Sequence, residues 1–233
     1  MLLAIETATD VCSIALLADG VPVGVAEVLR PRSHAEWLVP LIGDLLGQHG
    51  ASAGDLSCVA VSAGPGSYTG LRIGVSTAKG LCVATGAALV AVPSLEALAS
   101  GATGIPAADD LLVAGFRSRR GEVYVQAFRP AGGEVVPTSD PEALATDAVR
   151  AWLPRTGGQV WLVGEAADDL AAVLDEARIL PPATHRPSAE LVGRFAWPRW
   201  RDGHVEAVDA FEPAYLKPFE VRRGASIFER LSS

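Results

Sequence analysis

The sequence predicts an α/β fold made of two halves that share one element order, βββαβαβα. Three observations carry that expectation. Short valine-rich runs such as 59–62 have the length and composition of strands buried on both faces. Hairpin signals stand at Asp19-Gly20 and at Ala131-Gly132-Gly133. Segments with apolar residues at helical spacing alternate with the later strands of each half.

In order, residues 2–6 read as a strand, Thr7-Ala8-Thr9-Asp10 as a polar turn, and 11–17 and 21–28 as two further strands. Arg30-Pro31-Arg32 breaks the pattern, and Ser33-His34-Ala35-Glu36 fits a capping box, with Ser33 as cap and Glu36 reaching back. The helix that follows carries Trp37, Leu38, Leu41, Ile42, Leu45 and Leu46 on one stripe, and Pro40 should kink or shorten it. Residues 56–62 form a buried strand. Gly64-Pro65-Gly66 stops it, because glycine takes positive φ and proline cannot extend a ladder. Ser67 or Thr69 then caps a helix containing Gly70, Gly74 and Gly80. Each interior glycine costs roughly 1 kcal/mol against alanine, so another backbone or helix is expected to approach closely. Residues 88–92 read as a strand and 94–98 as the start of a short helix.

The second half offers strands at 111–116, 122–128 and 134–136, then a helix over 141–153 and a strand at 159–163. A helix over 166–177, a short strand near 178–180 and a helix near 188–195 follow. The small, flexible stretch 101–106 divides an N-terminal lobe, 1–103, from a C-terminal lobe, 104–233. Used twice, this order is the ribonuclease H-like arrangement of the actin and sugar-kinase superfamily, where nucleotide lies between the halves; that analogy concerns fold alone.

A chain of 233 residues that is 49 % apolar and 20 % charged is globular, with one large or two small domains. A net charge of −8 and a pI near 5.0 argue against autonomous nucleic-acid binding. Cys12, Cys58 and Cys82 lie in apolar runs without paired spacing, as buried thiols in a reducing compartment would. Met1-Leu2-Leu3-Ala4-Ile5 has no basic region and meets Glu6 at once, so no signal peptide is expected. No apolar run approaches the roughly 20 residues of a membrane span. A cytoplasmic location follows as the expectation.

Several motifs then fall in order along nearly the whole chain. They are Ile5-Glu6-Thr7-Ala8-Thr9, Ser33-His34-Ala35-Glu36, the run from Ser62-Ala63-Gly64-Pro65-Gly66 to Gly74, Ala78-Lys79-Gly80-Leu81 and Pro93-Ser94-Leu95. Arg119-Arg120-Gly121-Glu122-Val123-Tyr124 and Pro213-Ala214-Tyr215-Leu216 complete the set. Together they strongly resemble the TsaB (YeaZ) family, while 138–201 carries little recognisable pattern. The resemblance implies a non-catalytic protein needed to make threonylcarbamoyladenosine beside the tRNA anticodon. Its partner there is a TsaD-like transferase, with a TsaE-like ATPase joining through the complex and tRNA met only indirectly. The family's pairing surface is formed by the first two helices. Matched here, it comprises Trp37, Leu38, Leu41, Ile42 and Leu45 with Leu71, Gly74, Val75, Ala78 and Leu81. Part of each stripe must also cover its own sheet. The same surface suits a homodimer when the transferase is absent.

The residues offer little chemistry of their own. Gly64, Pro65, Gly66, Ser67 and Thr69 resemble a phosphate loop, but the run ends Gly70-Leu71-Arg72 without the P-loop lysine. Thr69 also stands where a dinucleotide fingerprint needs its third glycine. The loop reads as inherited and now mainly structural. TsaD-like proteins pair two histidines on the first helix, whereas His34 has Leu38 four positions on; His49, His185 and His204 are scattered. No metal and no cofactor is expected. Three arginines, Arg117, Arg119 and Arg120, occupy the second hairpin turn and could receive a phosphate or an acidic loop but not a cation. Two alternatives stay open. An actin-like ATPase or kinase would cradle phosphate on 64–69 and hold magnesium on Asp10, and a glycoprotease-like peptidase would act on the partner.

Overall fold

The computed structural model describes residues 1–102, 107–118, 121–181 and 186–216. The first sheet is built from β1 (Leu2–Glu6), β2 (Val11–Ala18), β3 (Val21–Leu29), β4 (Cys58–Ser62) and β5 (Ala88–Val92), in the order β3-β2-β1-β4-β5. β3, β2 and β1 are antiparallel neighbours, and β4 and β5 extend the sheet in parallel. The second sheet repeats this plan with β6 (Leu111–Arg117), β7 (Glu122–Ala131), β8 (Glu134–Pro137), β10 (Val160–Val163) and β11 (Arg178–Ile179), in the order β11-β10-β6-β7-β8. The fold is α/β with two ribonuclease H-like halves.

Two long helices cover the outer face of the first sheet. Helix α1 (His34–Gln48) contributes Leu38, Ile42, Leu45 and Leu46, and α2 (Tyr68–Thr85) contributes Val75, Ala78 and Cys82. They pack on Leu3, Ile5, Ile14, Leu16, Val59 and Val61. Helix α3 (Ser94–Ser100) and helix α6 (Ala189–Arg201) lie between the sheets and are exchanged between the halves. Leu95, Leu98 and Ala99 of α3 join Leu112, Ala114, Phe116 and Phe128 of the second sheet. Ala189, Val192 and Ala196 of α6 join Leu2, Ala4, Ala15 and Leu17 of the first. Each half therefore holds the other through its core, not through a hinge. The far face of the second sheet is covered by α4 (Val149–Trp152) and α5 (Ala167–Ala171).

Four local expectations are corrected. The helix expected over 141–153 begins instead with strand β9 (Glu142–Ala145), and only α4 remains helical beyond a 3-10 turn. β7 is ten residues long, and β8 pairs with its second half, so β9 fills the open edge of its first half. Ladder bonds there outweigh the helix propensity of Glu-Ala-Leu-Ala. Ser33 does not cap α1, because its hydroxyl donates to the Arg30 carbonyl at 2.7 Å. Pro40 sits within an uninterrupted α1. Helix α5 is much shorter than 166–177 and is followed by turns.

Past the end of α1, His49 is clipped by both ring nitrogens. Nδ1 donates to the Leu45 carbonyl and Nε2 to the Val23 carbonyl, each at 2.9 Å. Two carbonyl acceptors require both nitrogens to carry protons, so these bonds favour the imidazolium and raise its pKa above 6.5. The clip adds stability below the ordinary histidine pKa and loses it as pH rises through the raised one. Thermal melts of His49→Gln should therefore differ most from wild type in mild acid and converge with it in mild alkali.

Candidate functional site

The loop after β4 is held from three sides. The Ala63 amide donates to the Val92 carbonyl at 2.8 Å, and the Gly64 amide to the Ser94 hydroxyl at 3.1 Å. The Ser67 amide donates to the Ala8 carbonyl at 2.6 Å. Pro65 has no N–H, so the chain itself uses most of what this loop could offer an anion. Gly64 takes φ 101°, and a Cβ there would lie 2.6 Å from the Ala214 carbonyl oxygen; one at Gly66 would lie 2.5 Å from that of Ala8. The glycines are thus demanded by the chain's own packing. Of the two cap candidates, Ser67 is the one used: its hydroxyl accepts from the Gly70 amide at 3.2 Å.

A C-terminal strap locks this arrangement. Glu206 bridges to Leu89 at the edge of β5, and the Ala214 amide donates to Ala63 at 2.8 Å. Lys79 on α2 donates to the strap carbonyls of Asp209 and Phe211, at 3.2 and 3.1 Å. Tyr215 packs on Tyr68 with the rings tilted at 43° and their centres 4.8 Å apart, and Arg72 lies 4.3 Å above the Tyr68 ring. The motif Pro213-Ala214-Tyr215-Leu216 therefore closes over the start of α2.

Carboxylates gather where the two sheets meet. Glu6 ends β1 fully buried; burial pushes its pKa up to about 7, although the Ala8 amide at 2.5 Å and the Ser62 hydroxyl pull the other way. Glu165, after β10, is raised chiefly by burial and accepts from the Arg117 amide at 3.1 Å. Asp10 and Asp169 add to the negative field on Glu165. Glu165 escapes the motif reading, and Glu6 enters it within Ile5-Glu6-Thr7-Ala8-Thr9 but not as a site residue, although a single carboxylate closing an otherwise apolar strand is a signal. Arg117 is already paired with Asp169 at 2.6 Å, which occupies the cation expected to receive a phosphate or an acidic loop. Arg119, Arg120 and His185 lie outside the described residues. Among the described residues no three His, Cys, Asp or Glu side chains are placed to hold a metal ion, and no helix is long and apolar enough to cross a membrane.

The two-helix face divides sharply. Leu38, Ile42, Leu45, Leu71, Gly74, Val75 and Ala78 are all buried within the chain, because the strongest apolar stripe of each helix faces its own sheet. In the free chain these seven of the ten expected positions therefore face the sheet and not solvent. Gly70 and Gly74 serve the same inward packing, since a Cβ on either would strike the Thr7 carbonyl oxygen or hydroxyl. Trp37, Leu41 and Leu81 are half-buried. The outward side carries Val39, Gly43 and Gly47 on α1 and Ser76, Gly80 and Val83 on α2, at four- and three-residue spacings. Val39 is 62 % exposed and Val83 78 %. A Cβ added at Gly43, Gly47 or Gly80 would meet nothing within 4 Å.

Fold and site together define a two-lobed α/β protein with ribonuclease H-like halves, whose loop after β4 is held by the chain's own packing. The family model of TsaD, tRNA N6-adenosine threonylcarbamoyltransferase, matches residues 22–179. Over 224 residues the chain is 33 % identical to the tRNA threonylcarbamoyladenosine biosynthesis protein TsaB of Escherichia coli K12, covering 93 % of this chain and 94 % of that one. It is 35 % identical over 139 residues to TsaB of Bacillus subtilis, covering 58 % of this chain and 59 % of that one. YeaZ from Pseudomonas aeruginosa superposes with a TM-score of 0.80 at 28 % identity, over 92 % of this chain and 99 % of that structure. The chain belongs to the TsaB (YeaZ) branch of the TsaD family, the proteins of tRNA threonylcarbamoyladenosine biosynthesis.

Proposed function

We propose that the chain is a non-catalytic subunit that docks a TsaD-family transferase on the outward side of α1 and α2 and supports its action on tRNA. The observation that carries this reading is the trio of open glycines, Gly43, Gly47 and Gly80. Each weakens its helix by up to roughly 1 kcal/mol, and nothing among the described residues needs the space. Flanked by exposed Val39 and Val83, they leave a smooth strip that a second helix pair can approach closely. Trp37, Leu41 and Leu81 would form its half-buried margin. A TsaE-like ATPase and tRNA would be reached through the transferase, and the same strip would join two copies when the transferase is absent. In this reading the lobes 1–103 and 104–233 differ in role: the first docks and the second stiffens it through the exchanged helices. The consumed amides of the loop support a non-catalytic role over an ATPase.

Calorimetric titration with the transferase of the same organism tests the docking. A saturable one-to-one complex is expected, lost in Val83→Asp while that variant melts at the wild-type temperature. Absence of a complex, or one indifferent to Val83→Asp, overturns the reading.

A further inference from the structure

A cavity of about 360 Å³ lies between the β1–β2 turn and the starts of α1 and α2. It is lined by Asp10, Arg32, His34, Ser67 and Thr69, with Gly70 and Ile73 behind them. It adjoins loop 63–67 and shares Ser67 with it, but the Ala63, Gly64 and Ser67 amides point to the chain itself. His34 is only 5 % exposed, and its Nε2 donates to the Val11 carbonyl at 3.2 Å. That bond takes the Nε2 proton, and Nδ1, the other ring nitrogen, has no partner among the described residues. Arg32 has no ion-pair partner among the described residues. The Ser33 hydroxyl that would cap α1 is turned to Arg30, so the first amides of this 15-residue helix have no side-chain acceptor.

We propose that this cavity binds a hydrogen-phosphate group carried by a small metabolite. Arg32, the uncapped start of α1 and the free hydroxyl protons of Ser67 and Thr69 supply donors for the unprotonated oxygens. The Asp10 carboxylate can only accept, so it calls for a ligand oxygen that still carries a proton. Phosphate monoesters and inorganic phosphate near neutral pH meet both demands, whereas sulfate, fully ionised, meets only the first. The cavity exceeds a bare phosphate, which leaves room for an ester substituent.

The test follows the ring nitrogens of His34 by NMR during titration with inorganic phosphate and, separately, sodium sulfate at constant ionic strength. Saturable shifts with phosphate are expected, with sulfate bound at least tenfold more weakly. Arg32→Ala should lower phosphate affinity about tenfold without changing the circular dichroism spectrum. Asp10→Asn should abolish the preference for phosphate, because an amide tolerates an unprotonated oxygen. No saturable shift with phosphate, equal binding of sulfate by wild type, or unchanged affinity in Arg32→Ala overturns the proposal. The outcome is independent of transferase docking, which is proposed for the outward side of the helices.

Discussion

Replacing Gly43 and Gly80 together by alanine is expected to stabilise the isolated chain and to weaken its complex with the transferase. The signs oppose because the two states ask different things of the same Cβ atoms. In the free chain each methyl meets nothing within 4 Å. Its effect is then to narrow the unfolded ensemble and favour the helix, by up to about 1 kcal/mol per site. For a chain of 233 residues that raises the melting temperature by several degrees. In a complex packed against those glycines, each methyl must be accommodated at a cost of about 1–3 kcal/mol, so the double variant should bind roughly a hundredfold more weakly. Differential scanning calorimetry and titration calorimetry read the two halves of the prediction. A double variant that is more stable and binds equally well would remove the docking role from this face. Loss of stability would show instead that the glycines serve the fold.

The contrast between glycines on one helix shows what the sequence can and cannot announce. Gly70, Gly74 and Gly80 look alike as helix-interior glycines, and the sequence leads one to expect a close approach at all three. Only the folded chain separates Gly70 and Gly74, pressed on Thr7, from Gly80, which faces open space. The apolar stripes were legible for the same reason that they misled. Periodicity finds the most hydrophobic side of a helix, and that side belongs to the core first; Leu38, Ile42, Leu45, Val75 and Ala78 are therefore buried. The proposed docking face would have to stay soluble alone, so its signal is weaker, small residues and two valines. The strands of both sheets and the Ser67 cap were readable because local chemistry decides them. β9 was not, since the vacancy on β7 that recruits it is a tertiary fact, and the exchange of α3 and α6 leaves no local mark at all.

Glu6→Gln should stabilise the chain by roughly 3 kcal/mol at pH 8 and by almost nothing near pH 4. The carboxyl titrates near 4.5 when unfolded but near 7 when buried. Between those values the folded chain holds more protons than the unfolded one, so stability falls as pH rises. Above about 7 both states are ionised and the whole penalty stands. At 1.36 kcal/mol per pH unit the difference corresponds to roughly 3 kcal/mol. Glutamine keeps an acceptor oxygen for the Ala8 amide and carries no charge to desolvate. Urea unfolding from pH 4 to 8.5 should show wild-type stability declining between about 4.5 and 7 while the variant stays flat through the same range. If Glu6→Gln destabilises at pH 8, the buried carboxylate is needed in its charged form. The consequence reaches α2, because the Ala8 segment that Glu6 fastens also receives the Ser67 amide at the start of that helix. A proton on Glu6 relieves the buried charge beneath that anchor, so the first turn of α2 should exchange its amide hydrogens more slowly at pH 6 than the intrinsic pH dependence predicts, and Glu6→Gln should remove the difference.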